Sequence, residues 1–392
     1  MNWCLFLIVL SSFTIYAWAG CSAPEAFELT SSGGHLHANG ERFYLKGLSW
    51  FGFETTNNVC HGLWAQDYKT LLDFIKTNGF NAMRLPFYLE LVLNNTTMPD
   101  SINYYNMNED LKNLTSMQVL DKIIDYAGQN GILIMLDLHS FLGGTFMQDG
   151  LWYDATHPES MVIKGWDTLI ARYANTWNVV ALDLKNEPFA TTWNTGDLKT
   201  DWDKAAARIG NHIHSTPAGS KYLIFVEGTN KSPPCTNACF WGENLLGVHE
   251  APVELTQKDK LVYSPHCYGP SVAYQSYFAA PNFPANMPEI WDTHYGFVPN
   301  VTGNAIVIGE WGGQLTGSDG QWLDAYTTWL VETENTDNFF WCLNPDSGDT
   351  GGLLENDWKT PVTGKLKLVA KVNPNPTKVT QDSDGNICTF RN

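Results

Sequence analysis

The apolar positions of this chain gather into continuous runs, at residues 43–50, 82–87, 131–139, 179–187, 222–227, 261–268, 305–310 and 339–344. Runs that are apolar without polar alternation describe strands buried on both faces, as in parallel sheets covered by helices. Helix-like stretches lie between them at residues 64–78, 116–130, 161–177, 201–215 and 321–334. Eight strands alternating with helices predict an α/β fold, a (β/α)8 TIM barrel. The length beyond the ~250 residues typical of that architecture then falls in extended βα loops. An open doubly wound sheet is the alternative, but no Gly-rich fingerprint follows the first run.

No Ser/Thr/Pro-rich linker divides the chain, so one domain is expected over residues 20–392. Within it, 373–392 forms a polar, turn-rich C-terminal tail, pinned by Cys388. Residues 5–19 are an apolar stretch ending in Ala17-Trp18-Ala19, an A-x-A pattern that predicts a signal peptide over 1–19 and cleavage before Gly20. No other run approaches the length of a membrane span. The mature protein is therefore expected to be secreted, free of the membrane and monomeric.

Composition narrows the partners. The 392 residues are 44% apolar, ample for a large core, and carry a formal charge of −18. That charge repels nucleic acid, anionic lipid and polyanionic glycans, and suits a neutral substrate. The 16 tryptophans suit sugar rings, although large cores also consume them. Of eight cysteines, Cys4 falls in the leader; the remaining seven leave at least one free thiol. Cys235 and Cys239 flank a short loop after Pro233-Pro234 and form the best-placed bridge, with a zinc pair as the rival. Sequons begin at Asn94, Asn95, Asn113, Asn230 and Asn300.

Candidate chemistry sits where the runs stop. Asn186-Glu187 precedes Pro188, which cannot extend a strand ladder, and Glu310 ends the run at 305–310. Two glutamates delivered by two strand ends can face one pocket. That is what glycoside hydrolysis requires: one carboxyl protonates the leaving oxygen, and the other attacks or activates water. Other runs end in Arg84-Leu-Pro86, Asp137-Leu-His139, His266-Cys-Tyr268 and Trp341-Cys-Leu-Asn344. Each alone reads as readily as a satisfied structural group. Together, at the rim where barrel active sites form, they read as a site. No cofactor and no metal are expected, because no P-loop or G-x-S-x-G is present. His35-Leu-His37 precedes the first run, and His212-Ile-His214 lies in a helical stretch where i and i+2 do not share a face. Asp382-Ser-Asp-Gly385 reads as a turn rather than a calcium loop.

An ordered set of segments extends this reading: Trp50-Phe-Gly-Phe-Glu-Thr55, His61-Gly-Leu-Trp64, Asn81-Ala-Met-Arg-Leu-Pro86, Asn186-Glu-Pro188, Phe225-Val-Glu-Gly228, Ile308-Gly-Glu-Trp311 and Asn344-Pro-Asp-Ser-Gly-Asp-Thr-Gly-Gly352. With these the chain resembles glycoside hydrolase family 5, and more closely its bacterial-type endo-β-1,4-glucanases. The resemblance implies a retaining double displacement, with Glu187 as general acid/base and Glu310 as nucleophile. It further implies that Asn186 bonds the 2-hydroxyl in subsite −1, Arg84 and Tyr268 hold the nucleophile, His139 and His266 line that subsite, and Trp341 is its platform. Trp50 and Trp241 match positions that stack flanking rings. Glu187, with no fixed cation, is expected to keep its proton beside Glu310. The implied partner is a β-glucan. Mannan or xyloglucan, transglycosylation, and glycan binding without turnover are the alternatives. Strand 3 departs from the family by reading Asp137-Leu-His139-Ser, and the cysteines are placed differently.

Overall fold

Each apolar run coincides with or overlaps a strand: β1 (Lys46–Ser49), β2 (Ala82–Tyr88), β3 (Leu133–Ser140), β4 (Val179–Asp183), β5 (Leu223–Val226), β6 (Leu261–Tyr263), β7 in two pieces (Ala305–Ile306 and Ile308–Trp311), and β8 (Asn338–Phe340). The computed structural model describes residues 18–145, 150–230, 235 and 239–391, so the expected leader lies outside the described residues except for Trp18 and Ala19. Neighbouring strands are parallel throughout, and β8 pairs back onto β1. The first piece of β7 pairs with β6 and the second with β8, so the sheet closes at Val307. The result is a (β/α)8 TIM barrel.

The runs look uniform in sequence, yet in space they alternate. Ala82, Met135, Ala181, Phe225, Val262, Val307 and Phe339 pack together inside the barrel. Their neighbours Met83, Leu136, Leu182, Ile224, Tyr263, Ile306 and Phe340 pack in the outer core with the helices. Stepping two residues onward along the inward set gives Arg84, Asp137, Asp183, Glu227 and, after Ser264, His266. The strand period thus delivers charge to the barrel axis at its C-terminal end. Gly47 keeps the inward row of β1 open, since a Cβ there would lie 2.3 Å from the Phe339 ring.

Local signals set the helices. Tyr68–Thr77 starts where Asp67 accepts from the Lys69 amide, four residues after the expected start. Ser116–Gln129 opens with a capping box between Thr115 and Gln118. Glu159–Arg172, Trp202–His214 and Gly317–Glu332 follow β3, β4 and β7, and Thr363–Val372, which was not expected, follows β8. The loop after β6 carries the short helices Met287–Trp291 and Val298–Thr302, each with Pro in its first turn.

The N-terminal end of the barrel is closed by a hairpin, Leu29–Ser32 with His35–Ala38, whose Leu29 and Leu36 join the inner core. Within the expected C-terminal tail the described residues, up to Arg391, carry two strands. Lys378–Gln381 and Ile387–Phe390 form a hairpin turned at Asp382, and Trp18–Ser22 adds a third antiparallel strand secured by the Cys21–Cys388 disulfide. Val379 and Ile387 join the inner core, which is why the segment orders. Cys235 and Cys239 are also bridged, while Cys60, Cys267 and Cys342 are buried thiols. Among the described residues no helix is long and apolar enough to cross a membrane.

Candidate active site

The ends of β3, β4, β6, β7 and β8 converge on a cleft of about 1080 Å³, lined by Glu187 and Glu310 together with Asn186, His139, Tyr268, Trp341 and, from the loop after β5, Trp241. The nearest carboxylate oxygens of Glu187 and Glu310 lie within 4.8 Å of each other, with His266 between them. His266 Nδ1 is 3.1 Å from Glu187 Oε1 and 3.5 Å from Glu310 Oε2.

Glu310 is gripped from two sides. Arg84 Nη1 donates to Oε1 at 2.5 Å, and the Tyr268 hydroxyl donates to Oε2 at 2.6 Å. Burial alone would raise the pKa of this carboxyl. The cationic His266, Arg84 and His139 and the Tyr268 bond outweigh burial and hold it below its ordinary value. Tyr268 keeps its proton, because burial and the two glutamates push the phenol far up.

Glu187 behaves oppositely. Burial, then the charge of Glu310, raises its pKa, and His266 offsets only part of the rise. The expectation that Glu187 lacks a fixed cation is thus corrected: His266 is bonded to it, and the carboxyl still sits above its ordinary value. His266 is itself buried, which disfavours its charge, yet Glu227 and Glu310 drive its pKa well up. The backbone of Glu187 has φ of +45°, a left-handed conformation rare for a side chain of this size.

The structure separates groups that face the cleft from groups behind it. Arg84 and His266 are fully buried and do not line the cleft: Arg84 grips the nucleophile from behind, as expected, whereas His266, expected to line the sugar subsite, has no surface on it. Arg84 donates to Glu310, to Asp183 at 3.1 Å and to Asn186 Oδ1 at 2.9 Å. Trp50 is a second correction. It has no exposed surface, and its indole N–H donates to the His61 carbonyl, so no sugar can stack on it. The next residue, Phe51, lines the cleft parallel to Trp341, with centroids 5.5 Å apart. Trp341 also stacks against His139 and donates to Ser347 in the loop after β8. Trp241 lies on Phe189 at 4.0 Å between centroids.

Four acidic groups went unassigned in the sequence reading. Asp137 bonds His139 Nδ1 at 2.7 Å and Arg84 at 3.0 Å. Asp183 has its pKa raised to about 6 by burial and by neighbouring Asp137, against the pull of Arg84. Glu227 accepts from the Glu187 amide at 2.7 Å. Glu54 lines the cleft with its carboxyl raised by burial. The first three were legible in phase, because each falls two residues beyond an inward apolar position.

Among the described residues, two groupings bring ligand-type atoms together at this end of the barrel. The acidic one, around His266, already holds the Arg84 guanidinium among its carboxylates. Cys235, Cys239 and His294 form the other, whose sulfurs are consumed by the disulfide. The H-x-H pairs take no part. His35 and His37 lie in the hairpin at the opposite end, while His212 meets Asp167 and His214 meets the Tyr222 carbonyl. Of the sequon asparagines, Asn94, Asn95, Asn113 and Asn300 are exposed, whereas the Asn230 amide nitrogen donates to the Cys239 carbonyl.

The comparisons with known proteins agree in direction. A family model described as Cellulase (glycosyl hydrolase family 5) matches residues 36–347. An endoglucanase of Paenibacillus polymyxa is 38% identical over 395 residues, covering 97% of each chain. The major extracellular endoglucanase of Xanthomonas campestris pv. campestris is 39% identical over 350 residues, covering 88% of this chain and 70% of that one. Among solved structures, a variant endocellulase from Pyrococcus horikoshii in complex with cellotetraose superposes with a TM-score of 0.83 at 38% identity, covering 90% of this chain and 100% of the other.

Proposed function

The chain belongs to glycosyl hydrolase family 5, a family of retaining enzymes, and from that membership we propose that it is a secreted, single-domain endo-β-1,4-glucanase acting on cellulose or related β-glucans. The observation that carries the reading is the placing of two carboxylates of opposite character within 4.8 Å across one cleft. Retaining glycosidases hold the pair at roughly 5–5.5 Å, close enough for direct attack, whereas inverting enzymes leave room for a water between.

Glu310, ionised, attacks the anomeric carbon as Glu187 passes its proton to the departing glycosidic oxygen. Asn186, whose carbonyl is occupied by Arg84, presents its amide N–H groups to the sugar 2-hydroxyl. Forming the glycosyl ester removes the charge that raises Glu187. The carboxylate left on Glu187 by the proton transfer then stays ionised beside the His266 imidazolium and takes a proton from the water that attacks the ester. Trp341 and Phe51 offer aromatic faces for sugar rings on one part of the cleft, and Trp241 on another. Export is supported by the apolar leader, by two disulfides and by the extracellular Xanthomonas relative.

Proton NMR of the first product from cellohexaose is expected to show the β-anomer before mutarotation. Initial α-product would overturn the role given to Glu310. Rates on cellulose, mixed-linkage glucan, mannan and xylan decide the substrate, with the two glucans expected to lead.

A further inference from the structure

We propose that Glu227 is a positioning residue that aims the acid/base. It would fix the backbone of Glu187 and the imidazole of His266 with one carboxylate placed behind the cleft. The inference rests on the reading of Glu187 as general acid/base.

Glu227 follows β5, has no exposed surface and does not line the cleft. Its Oε2 accepts from the Glu187 amide at 2.7 Å, and its Oε1 forms an ion pair with His266 Nε2 at 3.1 Å without hydrogen-bond geometry. His266 Nδ1 in turn meets the Glu187 carboxyl at 3.1 Å. Backbone, carboxyl, imidazole and Glu227 thus form a closed ring of contacts, with both ends of Glu187 inside it. The backbone needs that hold. A non-glycine residue in the left-handed region is strained and persists only where its surroundings impose it.

A simpler role, as counter-charge for Arg84, fits the distances poorly. Arg84 approaches Glu310 at 2.5 Å and Asp137 and Asp183 at 3.0 Å, and Glu227 only at 3.4 Å. The loop above supports the positioning role. Gly242, at φ +77°, lies against Glu227 so closely that a Cβ would be 2.6 Å from Oε2. Gly242 follows Trp241 and accepts from the Gly228 amide at 2.8 Å. The same carboxylate therefore underlies the acid/base, its imidazole partner and the loop carrying a cleft aromatic.

The test separates aim from fold by the leaving group. Glucose oxygen needs the acid to depart, and dinitrophenolate does not. Glu227→Ala is expected to lose on the order of 10²-fold in kcat on cellopentaose with KM little changed, yet to keep the rate of enzyme glycosylation by 2,4-dinitrophenyl cellobioside within about threefold. Glu227→Asp, which withdraws the acceptor by one methylene, is expected to lose roughly tenfold on cellopentaose alone, and it carries the test should the alanine variant fail to fold. Glu227→Gln, whose carbonyl still accepts from the Glu187 amide, is expected to recover most of the loss. Equal losses on both substrates, no loss on either, or a glutamine variant as impaired as alanine would overturn the proposal. Glu187→Ala is measured alongside. If it shows no leaving-group dependence, the acid/base reading itself falls; if it does and the Glu227 variants do not, only the present inference falls.

Discussion

The two ends of the barrel handle buried charge in opposite ways. At the N-terminal end each charge meets its own partners. Asp337 takes Arg42 at 2.9 Å and the Leu45 amide at 2.8 Å, Lys260 donates to the Leu29 carbonyl and to Glu28, and Lys46 donates to the Asn78 carbonyl. Even there, burial pushes Lys46 down to about 8. At the C-terminal end four carboxylates crowd one guanidinium, and Asp137 Oδ1 and Asp183 Oδ1 have no hydrogen-bond partner. Satisfied pairs hold a structure in one state. Crowded like charges instead keep pKa values apart, which is what acid and nucleophile require of each other.

The largest expected effect tests the crowded end. Glu310→Ala should lose more than about 10⁴-fold in kcat on both cello-oligosaccharides and dinitrophenyl cellobioside, because every route needs the nucleophile. Any azide rescue should give an α-glycosyl azide by direct displacement. Glu187→Ala comes next, with about 10²–10⁴-fold lost on cello-oligosaccharides only. Its stalled glycosyl-enzyme should turn over faster with azide and give the β-glycosyl azide. Opposite behaviour of the two variants would exchange their roles.

The satisfied end should answer in stability alone. Asp337→Ala leaves the Leu45 amide and Arg42 without their acceptor and should cost about 2 kcal/mol in urea unfolding, with kcat unchanged. A fall in kcat matching the fall in stability would erase the distinction between the ends. The smallest effect has the opposite sign. The folded pKa of Asp183, about 6, lies above the ordinary carboxylate value, so the folded state binds the proton more tightly than the unfolded one. Stability is therefore lost as pH rises from about 4 through 6, and the penalty is complete above that. Asp183→Asn should raise Tm by a few degrees at pH 7.5, with the gain fading below pH 4, while kcat falls several-fold through the altered hold on Arg84. A variant less stable than the parent at pH 7.5 would mean that Asp183 is as well satisfied as Asp337.

The barrel was legible because eight apolar runs stop at polar residues, and a parallel strand must be buried on both faces. The inner phase of each run was harder to see, since uniform runs hide their alternation. That cost one residue in β1: the sequence reading chose Trp50, while the period running from Gly47 through Ser49 leads to Phe51. The same period through Phe225 points to Glu227. The C-terminal hairpin was missed because its two strands are only four residues each and the first, Lys378–Gln381, is mostly polar, although Asp384-Gly385 is a turn signal between them. Glu54 lies in a loop, where no period marks it.

The nucleophile rides on β7, the strand whose two pieces join β6 to β8 and close the cylinder at Val307. A molecule whose cylinder has opened along that seam has also carried Glu310 away from Arg84 on β2 and from Tyr268 beyond β6, so it has no intermediate level of activity to fall back on. Loss of activity on heating would then be a matter of census: the number of competent molecules declines while each survivor works at its full rate. Titration of active centres with a slow aryl glycoside burst would count the survivors, and the count should decline in step with total turnover.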